Sequence, residues 1–337
     1  MANYRAIKGD ILQTVSSDPP SPKTGQIWYN STLGKLRVGH VTQAWSSGND
    51  MNTTEGLARG SAGTLTAGLA AGGHPTTTDT EEYDGTSWTE TADLTTARNA
   101  LYGCGTQTAA VLAGGSPNPA VSPGQNFAIC EEYDGSSWTE SGDLGTGRRT
   151  GATFGTQTAA VYAGGYGAGS PDRKAEVEEY NGSTWTEVTN LPTNTGANRG
   201  IGTLTAGIPV GGNPPPGGAT SVEIFHYDGT NWTEGGDMNQ GRDQHGCSGT
   251  QTAGLGFGGY ILPTALIVLT ESYDGTSWTE VADMSEARKG LCSSTSGTSV
   301  ASWAAGGTNV DNTSVIVTTE EFSTDTTAAN VQCVDST

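Results

Sequence analysis

Four histidines (His40, His74, His226, His245) and five cysteines (Cys104, Cys130, Cys247, Cys292, Cys333) are the side chains here best suited to metal binding or nucleophilic chemistry. A zinc or copper centre needs several such ligands gathered together. No HExxH, HxH or CxxC spacing occurs, and the one close pair, His245 with Cys247, leaves a metal shell incomplete. There is no GxSxG elbow to present a serine and no phosphate-cradling loop. The odd, scattered cysteines read as reduced, partly buried thiols. On these grounds we expect no catalytic, cofactor or metal residue, and no enzyme.

The arginines are more orderly. Arg59, Arg98, Arg148, Arg199, Arg242 and Arg288 follow Met51, Leu94, Leu144, Leu191, Met238 and Met284 in turn. A set of arginines serving one anionic ligand would stand in selected places only, so this regularity argues for a structural job. Glutamates recur too, at Glu81, Glu131, Glu178, Glu271 and Glu320, each two places before an aromatic, with Phe225 in the remaining copy. Pairing of these arginines and glutamates is expected wherever both occur.

Both series belong to a repeat that must build the scaffold. Its clearest copy runs Glu81-Glu82-Tyr83-Asp84-Gly85-Thr86-Ser87-Trp88, then Arg98, then Gly105-Thr106-Gln107-Thr108, then Ala109 to Gly115. Double glycines recur at Gly72, Gly114, Gly164, Gly211, Gly258 and Gly306, and tryptophans at Trp45, Trp88, Trp138, Trp185, Trp232 and Trp278. A period in the mid-to-upper forties, rich in strand residues, means radial or solenoid repetition. Within residues 98–140 the pattern predicts strands over 99–105, 109–113 and 128–133 and a fourth from 137, joined by tight turns. Four antiparallel strands per copy make the blade of a propeller. Each Trp is expected to bury itself between neighbouring blades. Residues 35–47 are expected to supply outer strand to the blade containing Gly306, with 315–334 as the alternative.

Composition narrows the function. The chain has 337 residues and 51 glycines, a turn-rich all-β make-up. Its net charge is −20, from 15 Lys and Arg against 35 Asp and Glu. Such a surface repels phosphate backbones, so nucleic-acid binding is set aside. No run of about 20 apolar residues exists, and no membrane insertion is expected. No secretory leader is visible at the start of the chain.

Alternating strand direction puts the uniform first and third turns on one face. The other face carries loops of varied length, at 116–127, 166–175, 213–220 and 260–265. Recognition usually sits on loops held by a rigid scaffold. Asn118, Phe127, Tyr166, Asp172, Arg173 and Tyr260 are therefore the candidate binding residues.

A double glycine after a small-residue strand, then an aromatic, then a Trp, resembles the kelch repeat. The resemblance covers roughly residues 45–322 and implies a six-bladed β-propeller over 45–337, preceded by a non-repeat arm, residues 1–44. The sialidase Asp-box does not match, because Gly85 directly follows Asp84. Copper ligands of galactose-oxidase-like propellers have no counterpart.

The arm carries a predicted β-hairpin, Gly25-Gln26-Ile27-Trp28-Tyr29-Asn30 through Gly34-Lys35-Leu36. This segment resembles a short hairpin of tail-fibre and other virion proteins of tailed bacteriophages, and the Tyr-Asp-Gly-Thr-Ser-Trp turns look like those of marine-phage propellers. The resemblance implies a non-enzymatic virion structural protein, made in the host cytoplasm, serving as tail fibre, decoration or adsorption module. Other virion proteins would hold the arm, with Arg5, Lys8, Trp28 and Tyr29 as attachment candidates. Host-surface glycan or protein, or neighbouring copies of a homo-oligomer, would meet the loops. The competing readings are a propeller carbohydrate-active enzyme using a loop carboxylate such as Asp172, and a cytoplasmic kelch adaptor.

Overall fold

A computed structural model describes residues 12–53, 60–117, 125–168, 172–263, 265–309 and 314–330. The chain divides into two compact units. One takes the described parts of Met1–Ala44 and Ser323–Thr337, and the other is Trp45–Phe322.

The first unit contains the expected hairpin. Ile27–Asn30 pairs antiparallel with residues 35–38, and Gln13–Val15 adds a parallel strand along residues 28–30. Asp18 ties the proline-rich stretch to the hairpin. Its carboxylate accepts from Trp28 Nε1 at 2.9 Å, Asn30 Nδ2 at 2.8 Å and an Arg37 guanidinium nitrogen at 2.8 Å. The hydrogen bonds from Asn30 and Trp28, more than the Arg37 charge, hold the Asp18 carboxyl below its ordinary range.

In the second unit the repeat folds as four-stranded antiparallel sheets, five of them with purely four strands. One runs Tyr102–Thr106, Ala109–Ala113, Cys130–Tyr133 and Trp138–Glu140. The expected strand over 99–105 starts three residues late. Asn99 makes an isolated bridge to Ser116, and Ala100 turns the backbone into the left-handed region at φ 55°. A further sheet orders Cys292–Ser293, Ala301–Ala305, Thr319–Asn330 and Lys35–Ser47, so residues 45–47 close it from the other end of the chain. The first strands of successive sheets pack side by side, and Cys292–Ser293 returns to Gly60–Thr64, which closes the series.

Local chemistry sets the turns. Asp84 Oδ1 accepts from the N–H groups of Thr86 and Ser87, both at 2.7 Å, while Gly85 takes φ 87°. At the double glycine, Gly114 has φ 70°, and a Cβ there would lie 2.3 Å from the Arg148 carbonyl oxygen of the next copy. Only glycine lets the two backbones approach that closely.

Three kinds of fastener join neighbouring sheets. Gln107 Nε2 donates to the carbonyls of Gly68 and Tyr83 in the preceding sheet, at 3.0 and 3.1 Å, and Gln157 and Gln251 repeat the clamp. Tyr133 Oη donates to Glu82 at 2.8 Å, and Tyr227 Oη to Glu179 at 2.7 Å. His226 replaces the glutamate opposite Tyr273, and its Nε2 meets that hydroxyl at 2.8 Å. Each recurring tyrosine also packs on the Trp five residues later, as in Tyr83 on Trp88 with ring centroids 4.8 Å apart. The indole then reaches the preceding sheet: Trp138 Nε1 donates to Thr80 Oγ1 at 3.1 Å and Trp88 Nε1 to Thr319 Oγ1 at 2.9 Å. Trp88, Trp138 and Trp278 are buried, while Trp45, Trp185 and Trp232 are half-buried.

Within sheets, the expected Arg–Glu pairs are present for Arg98–Glu131, Arg148–Glu178, Arg242–Glu271 and Arg288–Glu320. The second carboxylate oxygen takes a loop N–H, as Glu131 does from Thr95 at 2.7 Å. Arg59 lies outside the described residues. Arg199 does not belong to this series. It begins the strand Arg199–Thr203, three residues before the turn glycine Gly202, where the Tyr102 strand carries its tyrosine. Thr195 holds the arginine's place and Phe225 the glutamate's, and a small cavity lined by Leu191, Thr195, Pro209, Gly211 and Phe225 sits there.

His245 and Cys247 are both buried, and no group of three metal-ligating side chains exists among the described residues. His245 lies one residue after Gln244 as Leu101 follows Ala100 and Leu291 follows Gly290, the three preceding residues all having positive φ. Neither imidazole nitrogen has a hydrogen-bond partner among the described residues, and burial, with Arg242 and Arg199 nearby, drives its pKa well below the usual range. An unsatisfied buried polar group costs roughly 1–3 kcal/mol. His245→Leu is therefore expected to raise the melting temperature by several degrees in a thermal melt; a fall would show that the imidazole stabilises the fold.

Candidate functional site

The copies differ at two places in the repeat that the fold brings together. Directly before the left-handed residues Ala100, Thr150, Ala197, Gln244 and Gly290 stand Asn99, Arg149, Gly196, Asp243 and Lys289. Directly after the double glycines stand Ser116, Tyr166, Asn213, Tyr260 and Thr308, each bridged to its partner in the first group. The left-handed turns link successive sheets: Thr150 N–H donates to Ala100 O at 3.0 Å, Gln244 N–H to Ala197 O at 3.1 Å and Gly290 N–H to Gln244 O at 2.8 Å. Non-glycine residues with positive φ are costly and cluster at functional positions. They lie where the innermost strands begin, on the variable-loop face.

The side chains here form one contiguous network. Arg149 donates to Asn126 Oδ1 at 2.8 Å and lies 5.6 Å from the Tyr166 ring centroid. Arg173 lies 5.4 Å from the same ring and donates through Nε to Asn213 O at 2.7 Å. Lys289 Nζ sits 4.5 Å from the Tyr260 centroid, a cation–π distance. Asp243, Asn213 and Lys289 are buried, whereas Arg149, Tyr166, Arg173 and Tyr260 are half-buried. The cluster thus has a buried floor and an accessible rim.

Below it, Tyr102 and Arg199 fill the interior between the first strands. The Arg199 guanidinium carbon is 3.6 Å from the Tyr102 ring centroid, and its nitrogens donate to His245 O at 2.9 Å and Leu291 O at 2.6 Å. Tyr102 is 1 % exposed, yet its hydroxyl has no partner among the described residues, nor has Asp243 Oδ1. Burial pushes the Asp243 carboxyl up to about 7, against the opposing pull of Lys289, Asn213 and Arg173.

That shift has a testable sign. A carboxyl with a raised folded pKa contributes stability that is complete below its unfolded value, near 4, and is lost as pH rises through about 7. Asp243→Asn is expected to flatten this decline and to stabilise the protein at pH 8 by up to about 4 kcal/mol. Thermal melts of both proteins from pH 5 to 8 check it, and parallel profiles would count against the assignment.

Of the residues chosen from sequence, Tyr166, Arg173 and Tyr260 join the cluster. Asp172 is instead 3.1 Å from Lys174 Nζ, a half-buried ion pair. Phe127 is half-buried and serves through its backbone, donating to Gly115 O at 2.8 Å and accepting from Arg148 N–H at 3.1 Å. Asn118, Arg5 and Lys8 lie outside the described residues. Trp28 is corrected as an attachment residue: it is fully buried, with its indole on Asp18, while Tyr29 is half-buried. Sequence reasoning passed over Arg149, Asn213, Asp243, Lys289 and Tyr102. For all but Tyr102 the available signal was their place directly after a recurring residue, Arg148, Gly212, Arg242 or Arg288.

No family model and no curated protein matches this chain. Solved structures do, and one titled "Structure of YjhT" aligns over 82% of this chain and 99% of its own, with a TM-score of 0.68 at 11% identity. The fold is β-propeller-like. At that identity the likeness carries architecture alone. In a propeller-like ring the cluster occupies the end of the central channel, with Tyr102 and Arg199 as the plug beneath it.

Proposed function

We propose that this chain is a non-enzymatic virion structural protein, a six-bladed kelch-like propeller displayed by an N-terminal arm that docks on the particle. The reading joins the phage-like hairpin and turn motifs to one structural observation. The large hydrophobic side chains exposed among the described residues are Leu12, Ile27, Leu33, Leu36, Val300 and Val315, and four of these six lie in the arm. Ile27 pairs with Val38, and Tyr29 with Leu36, so these residues share one face of the hairpin, opposite buried Trp28. An accessible apolar face beside a polar, acidic chain suits a protein partner.

Ile27→Asp with Leu36→Asp is expected to lower incorporation into particles at least tenfold while the Trp45–Phe322 unit melts unchanged. Quantifying the protein in purified virions checks this. Normal incorporation of the double variant would remove the docking claim.

A further inference from the structure

We propose that the end of the central channel on the variable-loop face is a binding site for a saccharide bearing an acidic group, carboxylate or sulfate. This deepens the display role proposed above and rests on it.

Charge is the first argument. The chain carries only 15 Lys and Arg at a net charge of −20. Three of those cations, Arg149, Arg173 and Lys289, nevertheless meet in one network, with Asp243 as its carboxyl among the described residues. Guanidinium and ammonium groups close together favour an oxyanion, and the two arginines can grip one by paired hydrogen bonds. The second argument is the floor. Tyr102 Oη and Asp243 Oδ1 are buried polar atoms without partners. Buried polar groups normally find partners, so each unsatisfied one needs an explanation. A phenol donates and a carboxyl oxygen accepts, which matches the two roles of sugar hydroxyls. The third is the rim, where the Tyr166 and Tyr260 rings supply half-buried apolar surface for the C–H face of a sugar. A simple anion would leave the floor unsatisfied, and a neutral sugar would bring no charge to match the cations gathered at the rim.

The test is calorimetric titration of the full chain with D-glucuronate, glucose 6-sulfate, D-glucose and inorganic sulfate. We expect one or both acidic sugars to bind at least tenfold more tightly than glucose or sulfate, and their ratio tells carboxylate from sulfate ester. Arg173→Ala should weaken that binding at least tenfold, with partial rescue by Arg173→Lys. Tyr102→Phe should weaken it at least threefold while the melting temperature holds or rises, because the lost hydroxyl is buried without a partner among the described residues. Absence of binding, equal binding of glucose, or indifference to both substitutions overturns the site while leaving the display role intact. Conversion of a bound sugar into a new product would keep the site and end the non-enzymatic reading.

Discussion

Glu131→Ala is expected to destabilise the protein by about 3–5 kcal/mol, a fall in melting temperature on the order of 10 °C. Arg98 and Glu131 both have fully buried side chains, 3.0 Å apart. The guanidinium also donates to Ile129 O at 2.6 Å and Gly114 O at 2.9 Å, so it cannot swing out to water without abandoning the sheet. Burial lowers the Arg98 pKa, yet an arginine starts so high that it stays charged. Removing Glu131 strands that charge and also orphans the Thr95 N–H. Two comparisons sharpen the expectation. Asp172→Ala breaks the half-buried surface pair with Lys174 and should cost under about 1 kcal/mol, because water still reaches and screens it. Arg98→Thr combined with Glu131→Phe copies the Thr195 and Phe225 arrangement of the Trp232 sheet and should recover most of the loss. A double variant as unstable as Glu131→Ala would mean that the charge pair is not what the site requires.

A chain lacking residues 1–47 is expected to lose its cooperative thermal transition, whereas one lacking residues 1–44 keeps it. Three residues make the difference. Trp45 packs on Phe257 and Phe322 with ring centroids 4.9 and 5.3 Å away, and its Nε1 donates to Thr270 Oγ1 at 3.0 Å. Ser46 Oγ reaches Glu321 O at 3.5 Å in the neighbouring strand. Without this segment the sheet containing Thr319–Phe322 loses its outer strand, and the Phe257–Phe322 seam opens to water. Trp45→Ala alone should cost about 3 kcal/mol from lost burial. An unpaired strand edge next to exposed aromatics invites association. Size-exclusion chromatography and calorimetry of the two truncations would decide, and equal behaviour would show that the outer strand is dispensable.

The hairpin, the repeating strands and their turns were legible in the sequence because their causes are local. Asp84 and Gly85 make their turn whatever surrounds them, and the Tyr-to-Trp spacing places both rings on one side of one hairpin. The closing strand was also legible, since Trp45 repeats a residue that had no sheet of its own nearby. Arg199 misled because its type matched the series while its distance from the turn glycine did not. Position along a strand, rather than identity, decides which way a side chain points.

The channel cluster was out of reach for a different reason. Arg149, Asp243 and Lys289 come from three copies of the repeat, and Tyr102 and Arg199 from two others. Their proximity depends on the first strands closing side by side, and residues that follow the same local rules in every copy acquire different neighbours only when the ring is complete. The amino-acid order therefore determined the sheets built within one copy of the repeat, because their hydrogen bonds and turns act between residues close along the chain. Only the tertiary structure decided the site, because burial without a partner, as at Asp243 and Tyr102, is a property of what surrounds a residue and not of its type.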